Sequence, residues 1–231
     1  MALKLVLLGP PGSGKGTYGL EISRKYGIPI LSTGHMYREE VSKGSALGKK
    51  VKPIMEAGKL VPDEMTIKMM DSRLRQKDAR KGYVLDGYPR SIAQAEALDK
   101  IATPNLVINL VIPKEMLLEK MLARRTCPKC GEMYNVADIR RTIGGKKYVL
   151  PPVLPKKSGI CDKCGSKLIQ RSDETPEIIN KRFGTYEEQS APLIEYYESE
   201  ALLKNFSVTG GKSIMVPKIL ELIEEEMAEN G

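Results

Sequence analysis

The segment Gly9-Pro10-Pro11-Gly12-Ser13-Gly14-Lys15-Gly16-Thr17 constrains the chain more than any other feature, because such a loop has meaning only between a buried strand and a helix. Both flanks supply that context. Lys4 to Leu8 is β-rich and apolar after Lys4, as a buried parallel strand is, and Lys15 to Tyr26 carries a helical pattern. Glycines let successive backbone N–H groups turn inward around phosphate oxygens, and the helix N-terminus adds positive potential. Lys15 is placed to reach β and γ phosphates. The loop therefore predicts a nucleoside triphosphate site with Gly12, Ser13, Gly14, Lys15, Gly16 and Thr17 as contacts; a ligand-free Gly/Pro turn is disfavoured because motif, spacing and context agree. The common loop has Ser or Thr directly after the lysine, whereas here Gly16 intervenes.

Further buried-strand patterns are Tyr83 to Leu85, Leu106 to Ile112, Phe206 to Val208 and, more weakly, Pro29 to Leu31, with helical patterns between them. Alternating strands and helices predict an α/β fold, a doubly wound parallel sheet of the phosphate-loop NTPase type. Helix starts are marked by Pro62-Asp63-Glu64, Pro113-Lys114-Glu115 and Thr175-Pro176-Glu177, with proline expected in the first turn. A length of 231 residues, 41% hydrophobic, supports one substantial core with inserted subdomains. Gly144-Gly145, between Arg140–Ile143 and Lys146–Leu150, predicts a β-hairpin insert.

Four cysteines form two C-x-x-C pairs, Cys127/Cys130 and Cys161/Cys164, the arrangement that presents four thiolates tetrahedrally to Zn2+. A closed four-sulfur site is structural rather than catalytic. Thirty residues separate the pairs, more than ribbon sites usually have, and the excess is expected as an enlarged hairpin at the tip. The formal charge of +8 raises nucleic acid as a partner, yet ten Lys/Arg against three Asp/Glu between Thr126 and Arg171 localise the excess to the cysteine segment. With no Trp and two Phe, the chain lacks stacking platforms for single strands. No apolar run reaches the length of a membrane span, and Leu3 to Leu8 is too short for a signal core, so neither membrane nor nucleic acid is expected as a partner and the expected setting is cytoplasmic.

The motifs at 9 to 17, Leu31-Ser32-Thr33-Gly34, Gly58-Lys59-Leu60-Val61 and Leu85-Asp86-Gly87-Tyr88-Pro89-Arg90 together resemble the nucleoside monophosphate kinases. Arg124-Arg125, Arg171-Ser172-Asp173 and Asn180-Lys181-Arg182 extend the likeness almost end to end, and within that family the chain looks like the long zinc-lid adenylate kinases. The resemblance implies a core of residues 1–31, 62–122 and 175–231, a helical AMP-binding subdomain of 32–61 and a zinc-ribbon lid of 123–174. It also implies reversible, direct in-line phosphoryl transfer from ATP-Mg2+ to AMP.

By position, the resemblance assigns Thr33, Gly34, Arg38, Lys59, Leu60, Val61, Gly87, Tyr88, Pro89, Arg90, Gln94, Arg171 and Arg182 to AMP. It assigns Arg124, Met133, Tyr134 and Lys212 to ATP beside the phosphate loop, with Gly210-Gly211 in the same stretch. Lys15, Arg90, Arg124, Arg171 and Arg182 stabilise transfer, with Asp173 in support. Asp86 resembles the acid that holds the Mg2+ water shell, its alternative being a helix cap. An amide such as Gln94 can pair with an adenine edge, and paired guanidinium forks suit a phosphate. Two positions depart from the family: His35 stands where Asp is usual, and Lys120 stands where an adenine-stacking arginine is expected. The family default is a monomer, and the enlarged lid offers a surface for an oligomer. A UMP/CMP-type acceptor, an ATP-dependent nucleic-acid binder, and a thiol redox switch in the lid are the competing readings.

Overall fold

The computed structural model describes residues 2–229. Its centre is a five-stranded sheet made of β1 (Lys4–Leu8), β2 (Ile30–Ser32), β3 (Tyr83–Asp86), β4 (Leu106–Val111) and β9 (Leu203–Ser207), in the order β2-β3-β1-β4-β9. All neighbours pair in parallel. On β1, Leu5 and Leu7 enter one apolar cluster while Val6 and Leu8 enter the other, so the strand is buried on both faces and reads as an unbroken apolar run. Truncating Leu5, which is fully buried, to alanine is expected to cost about 2–5 kcal/mol.

One face is covered by α1 (Lys15–Tyr26), α6 (Lys114–Leu122), α7 (Pro176–Thr185) and α9 (Lys212–Glu229), which bring Ile22, Met116, Ile179 and Ile219 onto Leu5 and Leu7. The other is covered by α4 (Asp63–Leu74), α5 (Ile92–Ala102) and α8 (Pro192–Ser199), whose Met70, Leu98 and Tyr197 meet Val6 and Leu8. Pro176 occupies the first turn of α7 after the Thr175 cap, as expected, but Pro62 and Pro113 sit one step outside their helices at the cap itself. An extended φ/ψ suits proline there, and its lack of an N–H costs the helix nothing. The last strand begins earlier than its apolar residues suggest, at Leu203. Lys204 and Asn205 interrupt the pattern because β9 is an edge strand, where Asn205 Oδ1 accepts 2.8 Å from Asn109 Nδ2.

Two excursions leave this core. The helix pair α2 (Thr33–Lys43) and α3 (Ala46–Glu56) has its own small core of Tyr37, Val51 and Val61. A Cβ on Gly48 would lie 2.1 Å from Glu40 O, so only glycine lets the two helices come this close. The second excursion pairs β5 (Arg124–Thr126) with β6 (Met133–Asn135) and closes on the cysteine knuckles through reciprocal bonds between Thr126 and Ile169, at 2.8 and 2.9 Å.

The predicted hairpin is present as β7 (Ile139–Ile143) and β8 (Lys146–Leu150), with Gly144 and Gly145 both at positive φ as a two-residue turn requires. Its position corrects the sequence expectation: instead of extending the lid tip, it folds back onto the core. Ile139, Tyr148 and Leu150 join the cluster that holds Val208, Met215 and Ile219. Arg141 pairs with Glu119 of α6 at 2.6 Å, and Val149 N donates to Thr209 O at 2.9 Å.

Candidate active site

A single cavity of about 1640 Å³ runs beneath both excursions and across the C-terminal end of β1. The register Leu7↔Asp86 brings β3 level with the start of the phosphate loop, so Asp86 and Lys15 face the same space. Gly12 and Gly14 have φ of 85° and 109°, and a Cβ on Gly12 would lie 2.8 Å from Met121 Cγ, so the loop needs glycine for both its path and its seat on α6. Lys15 Nζ donates to Gly9 O at 2.6 Å and Pro10 O at 3.0 Å, lying across the loop it springs from. Burial drives its pKa down to about 7. Asp86 opposes that fall, while Arg90, Arg182 and Arg124 add to it.

Near Lys15 the cavity gathers the arginines Arg38, Arg90, Arg124, Arg171 and Arg182, with Asp86 and Asp173 among them. Arg38 is lowered to about 10 by burial and then by Arg171, and Arg182 to about 9 by burial, with Asp173 opposing. For Asp173 burial pushes upward, but the hydrogen bonds and charge of Arg171, then Arg182 and Arg124, prevail and hold it at about 2. Arg171 Nε donates to Asp173 Oδ1 at 2.8 Å, and Arg182 Nη1 to Oδ2 at 3.3 Å. So unbalanced a cluster of cations suits a polyanion such as linked phosphates.

By the elements that supply them, the cavity's lining residues form two groups, termed arms. One is lined by Thr33, Gly34, Arg38, Lys59, Leu60, Val61, Gly87, Pro89, Arg90 and Gln94. Thr33 Oγ1 and Arg90 Nε both donate to Gly87 O, at 2.6 and 2.9 Å. Gln94 is 2% exposed; its Oε1 accepts from Arg90 N at 2.9 Å and its Nε2 donates to Asp63 Oδ1 at 2.7 Å. The amide keeps one N–H and one lone pair for a ligand, in a fixed orientation. The other arm is lined by Gly16, Thr17, Lys120, Met133, Leu150, Pro151, Gly210, Gly211 and Lys212. Met133 reaches down from β6, since a Cβ on Gly16 would touch its Cε at 2.8 Å.

Of the predicted nucleotide contacts, only Tyr88 and Ser13 are absent from the cavity wall; several of the others also make bonds of their own. Tyr88 is fully buried in the cluster of Val6 and Leu8, and Ser13 lies beneath the loop with its hydroxyl buried and unpartnered. Lys212 Nζ pairs with Glu21 at 2.7 Å, and Tyr134 OH accepts from Asp162 N at 2.8 Å, bracing the cysteines. His35 lies under the lid: a Cβ on Gly131 would be 3.2 Å from its Nε2. Asp86 Oδ2 accepts from Ser32 Oγ at 3.1 Å.

Two acids that the motifs do not single out are integral to the site. Glu174, 2% exposed, binds the Arg124 guanidinium and is 3.5 Å from Arg171 Nε. Asp63 holds both Gln94 and Ser91, the latter at 2.7 Å. Asp63 reads in sequence as a helix-opening acid, and Glu174 adjoins a motif without belonging to it.

The sulfurs of Cys127, Cys130, Cys161 and Cys164 all lie within 4.8 Å of one another, with Cys127–Cys164 at 3.3 Å and Cys130–Cys161 at 3.5 Å. Four thiolates bound at about 2.3 Å around a tetrahedral centre would stand roughly 3.8 Å apart, so the set fits one metal ion. Among the described residues, no helix is long and apolar enough to cross a membrane.

Comparison with known proteins gives a consistent result. The family model described as adenylate kinase matches residues 7–202. A protein of Thermodesulfovibrio yellowstonii named adenylate kinase is 42% identical over 229 residues, covering 97% of this chain and 100% of its own length. One of Archaeoglobus fulgidus with the same name is 43% identical over 231 residues, covering 97% and 99%. One of Moorella thermoacetica is 43% identical over 217 residues, covering 92% and 93%.

Proposed function

The chain belongs to the adenylate kinase family, and on that premise we propose how its residues divide the work of moving a phosphoryl group between ATP and AMP. The observation that carries the reading is the convergence of the phosphate-loop lysine and five arginines where the two arms of one cavity meet. In this reading residues 32–61 form the AMP subdomain, 123–174 the lid apart from the hairpin 139–150 docked on the core, and the remainder the core.

The loop amides of Gly12 to Thr17 and Lys15 cradle the ATP phosphates. Arg38 and Arg90 clamp the AMP phosphate, and the Gln94 amide meets the adenine edge with its remaining donor and acceptor. ATP enters as its Mg2+ complex, and Asp86 would hold the water shell of that ion, whose charge screens the bridging phosphate oxygens. Transfer runs through a loose transition state with charge on its equatorial oxygens, so the protein contributes alignment and positive charge. Arg124, Arg171 and Arg182 supply that charge. Glu174 and Asp173 hold them extended, so little reorganisation accompanies transfer. The lid excludes water that would otherwise take the γ-phosphate.

Zinc is the ion that the four thiolates suit, and one zinc per chain is expected by metal analysis and lost in Cys161→Ser. Reduced thiols of this kind accord with a cytoplasmic setting.

The test is ADP formation from ATP-Mg2+ paired in turn with AMP, CMP, UMP, dTMP and GMP, with Arg90→Ala as control. Fast turnover with AMP, lost in the variant, is the expected result. Preference for a pyrimidine monophosphate would refute the Gln94 assignment.

A further inference from the structure

The hairpin β7–β8, residues 139–150, takes up twelve of the thirty residues between the cysteine pairs, and no step described above uses it. Its alternation is two-sided: Ile139, Tyr148 and Leu150 lie on one face and are buried against the core, with Arg141 on the same face, while Arg140, Thr142 and Lys147 lie on the other and are exposed. It is therefore docked by an apolar face and by directed bonds, Arg141 to Glu119 and Val149 N to Thr209 O.

That last bond is specific in its geometry. In a two-residue hairpin the pair flanking the turn, Ile143 and Lys146, is hydrogen-bonded, and pairs alternate along the ladder. Val149, opposite Arg140, is then a non-bonded position whose N–H points away from β7. It donates instead to Thr209, and Val149 bridges in parallel to Gly210.

The hairpin thus extends the backbone of the very loop that lines the second cavity arm. Its exit lies on that loop: a Cβ on Gly211 would be 2.8 Å from Pro151 Cδ and Cγ. Leu150 and Pro151, with Ala137 at the entry to the hairpin, line the cavity beside Gly210 and Gly211.

An aromatic base needs a face to lie on, and the charged residue of this arm does not provide one. Lys120 has its Nζ 3.8 Å from a Cβ built on Gly14, turned toward the phosphate loop. An ammonium on a flexible stem also stacks poorly compared with a guanidinium. Besides Met133, the apolar surface of this arm is Leu150 and Pro151, which the hairpin brings.

We propose that the hairpin of residues 139–150 is a fixed wall of the donor-base subsite, holding Leu150 and Pro151 against the base through its dock on Thr209–Gly211. This rests on the reading of the second arm as the ATP arm. The ligand is the purine of a nucleoside triphosphate, gripped on its face by apolar atoms.

Ile139 and Leu150 are cross-strand partners, so excising residues 138–150 leaves ends close enough to join through two glycines. Steady-state kinetics with ATP, CTP and AMP are measured on this deletion, and zinc content and thermal unfolding report its folding. The KM for ATP is expected to rise roughly tenfold, with the ATP-over-CTP preference falling alongside and the KM for AMP unchanged, as when uniform binding in one pocket is lost. Val149→Pro is the second variant, because it removes only the N–H that Thr209 accepts and spares the hairpin ladder. It is expected to shift the ATP KM in the same direction by a smaller factor, and it decides alone should the deletion not fold. An unchanged ATP KM in folded variants, or equal rises for ATP and AMP, would overturn the proposal. If the intact chain forms no ADP from ATP and AMP, the functional reading beneath it falls as well.

Discussion

The two arms of the cavity are built by different physics. The arm proposed for AMP is built of polar side chains bonded to each other: Gln94 is held by Asp63 and by Arg90 N, while Arg90 and Thr33 converge on Gly87 O. The other arm is built of backbone and apolar surface, with Gly210 and Gly211 facing Leu150 and Pro151. A site with fixed, buried donors and acceptors leaves them unpaired when the wrong base enters, whereas an apolar slot rejects a wrong base mainly by fit. On the proposed reading, the comparison places selectivity on the acceptor side and leaves the donor side permissive.

The largest effect belongs to neither arm. Arg171→Ala removes charge where the arms meet and is expected to lower kcat by about 10³-fold or more with every nucleotide pair, as a transition-state arginine does. A loss confined to one nucleotide's KM would move Arg171 into a single arm.

Next comes the asymmetry itself. Replacing AMP by CMP is expected to cost about 10³-fold or more in kcat/KM, since hydrogen-bond groups are stranded, while replacing ATP by GTP costs only about 10- to 200-fold. Comparable penalties on both sides would break the comparison.

Asp63→Asn sharpens it further. The carboxylate accepts from both Gln94 and Ser91, and an amide in its place frees Gln94 to turn, so the KM for AMP is expected to rise about tenfold with kcat and the ATP KM near wild type. Asp63→Glu is expected to recover part of the loss. An unfolding midpoint lowered together with both KM values would assign Asp63 to helix capping alone.

The smallest effect is a proton. Burial first, then neighbouring arginines, set Lys15 to about 7 in the free protein, below its ordinary 10.5. Between those values the unfolded chain binds a proton that the folded one does not, so Lys15 costs stability as pH falls from 10.5 toward 7. Triphosphate beside it restores the charge, so ATP binding at pH 8 takes up up to about one proton. Calorimetry in two buffers of different ionisation enthalpy measures this, and a buffer-independent heat would remove Lys15 from the phosphate contact.

Much of this molecule is local in origin. The phosphate loop, the strand before it and α1 after it follow from one short run of glycines and apolar residues, and both C-x-x-C pairs announce four clustered sulfurs. The lid strands β5 and β6 do not stand out, because three-residue strands of mixed polarity carry no period. Arg124 and Gln94 belong to motifs that can be read, but Glu174 and Asp63, which hold them from 50 and 31 residues away, do not.

By itself, then, the sequence determined the parallel α/β core, the phosphate loop, the four-sulfur cluster and the family to which the arginines belong. Tertiary structure alone decided that the hairpin lies on the core rather than at the lid tip, and that Glu174 and Asp63 pair with Arg124 and Gln94. The reason is physical: a loop path or a metal knuckle is set by neighbours in the chain, whereas an apolar face and a carboxylate can be satisfied by many partners. Only the packed fold selects Thr209, Arg124 and Gln94 from among them.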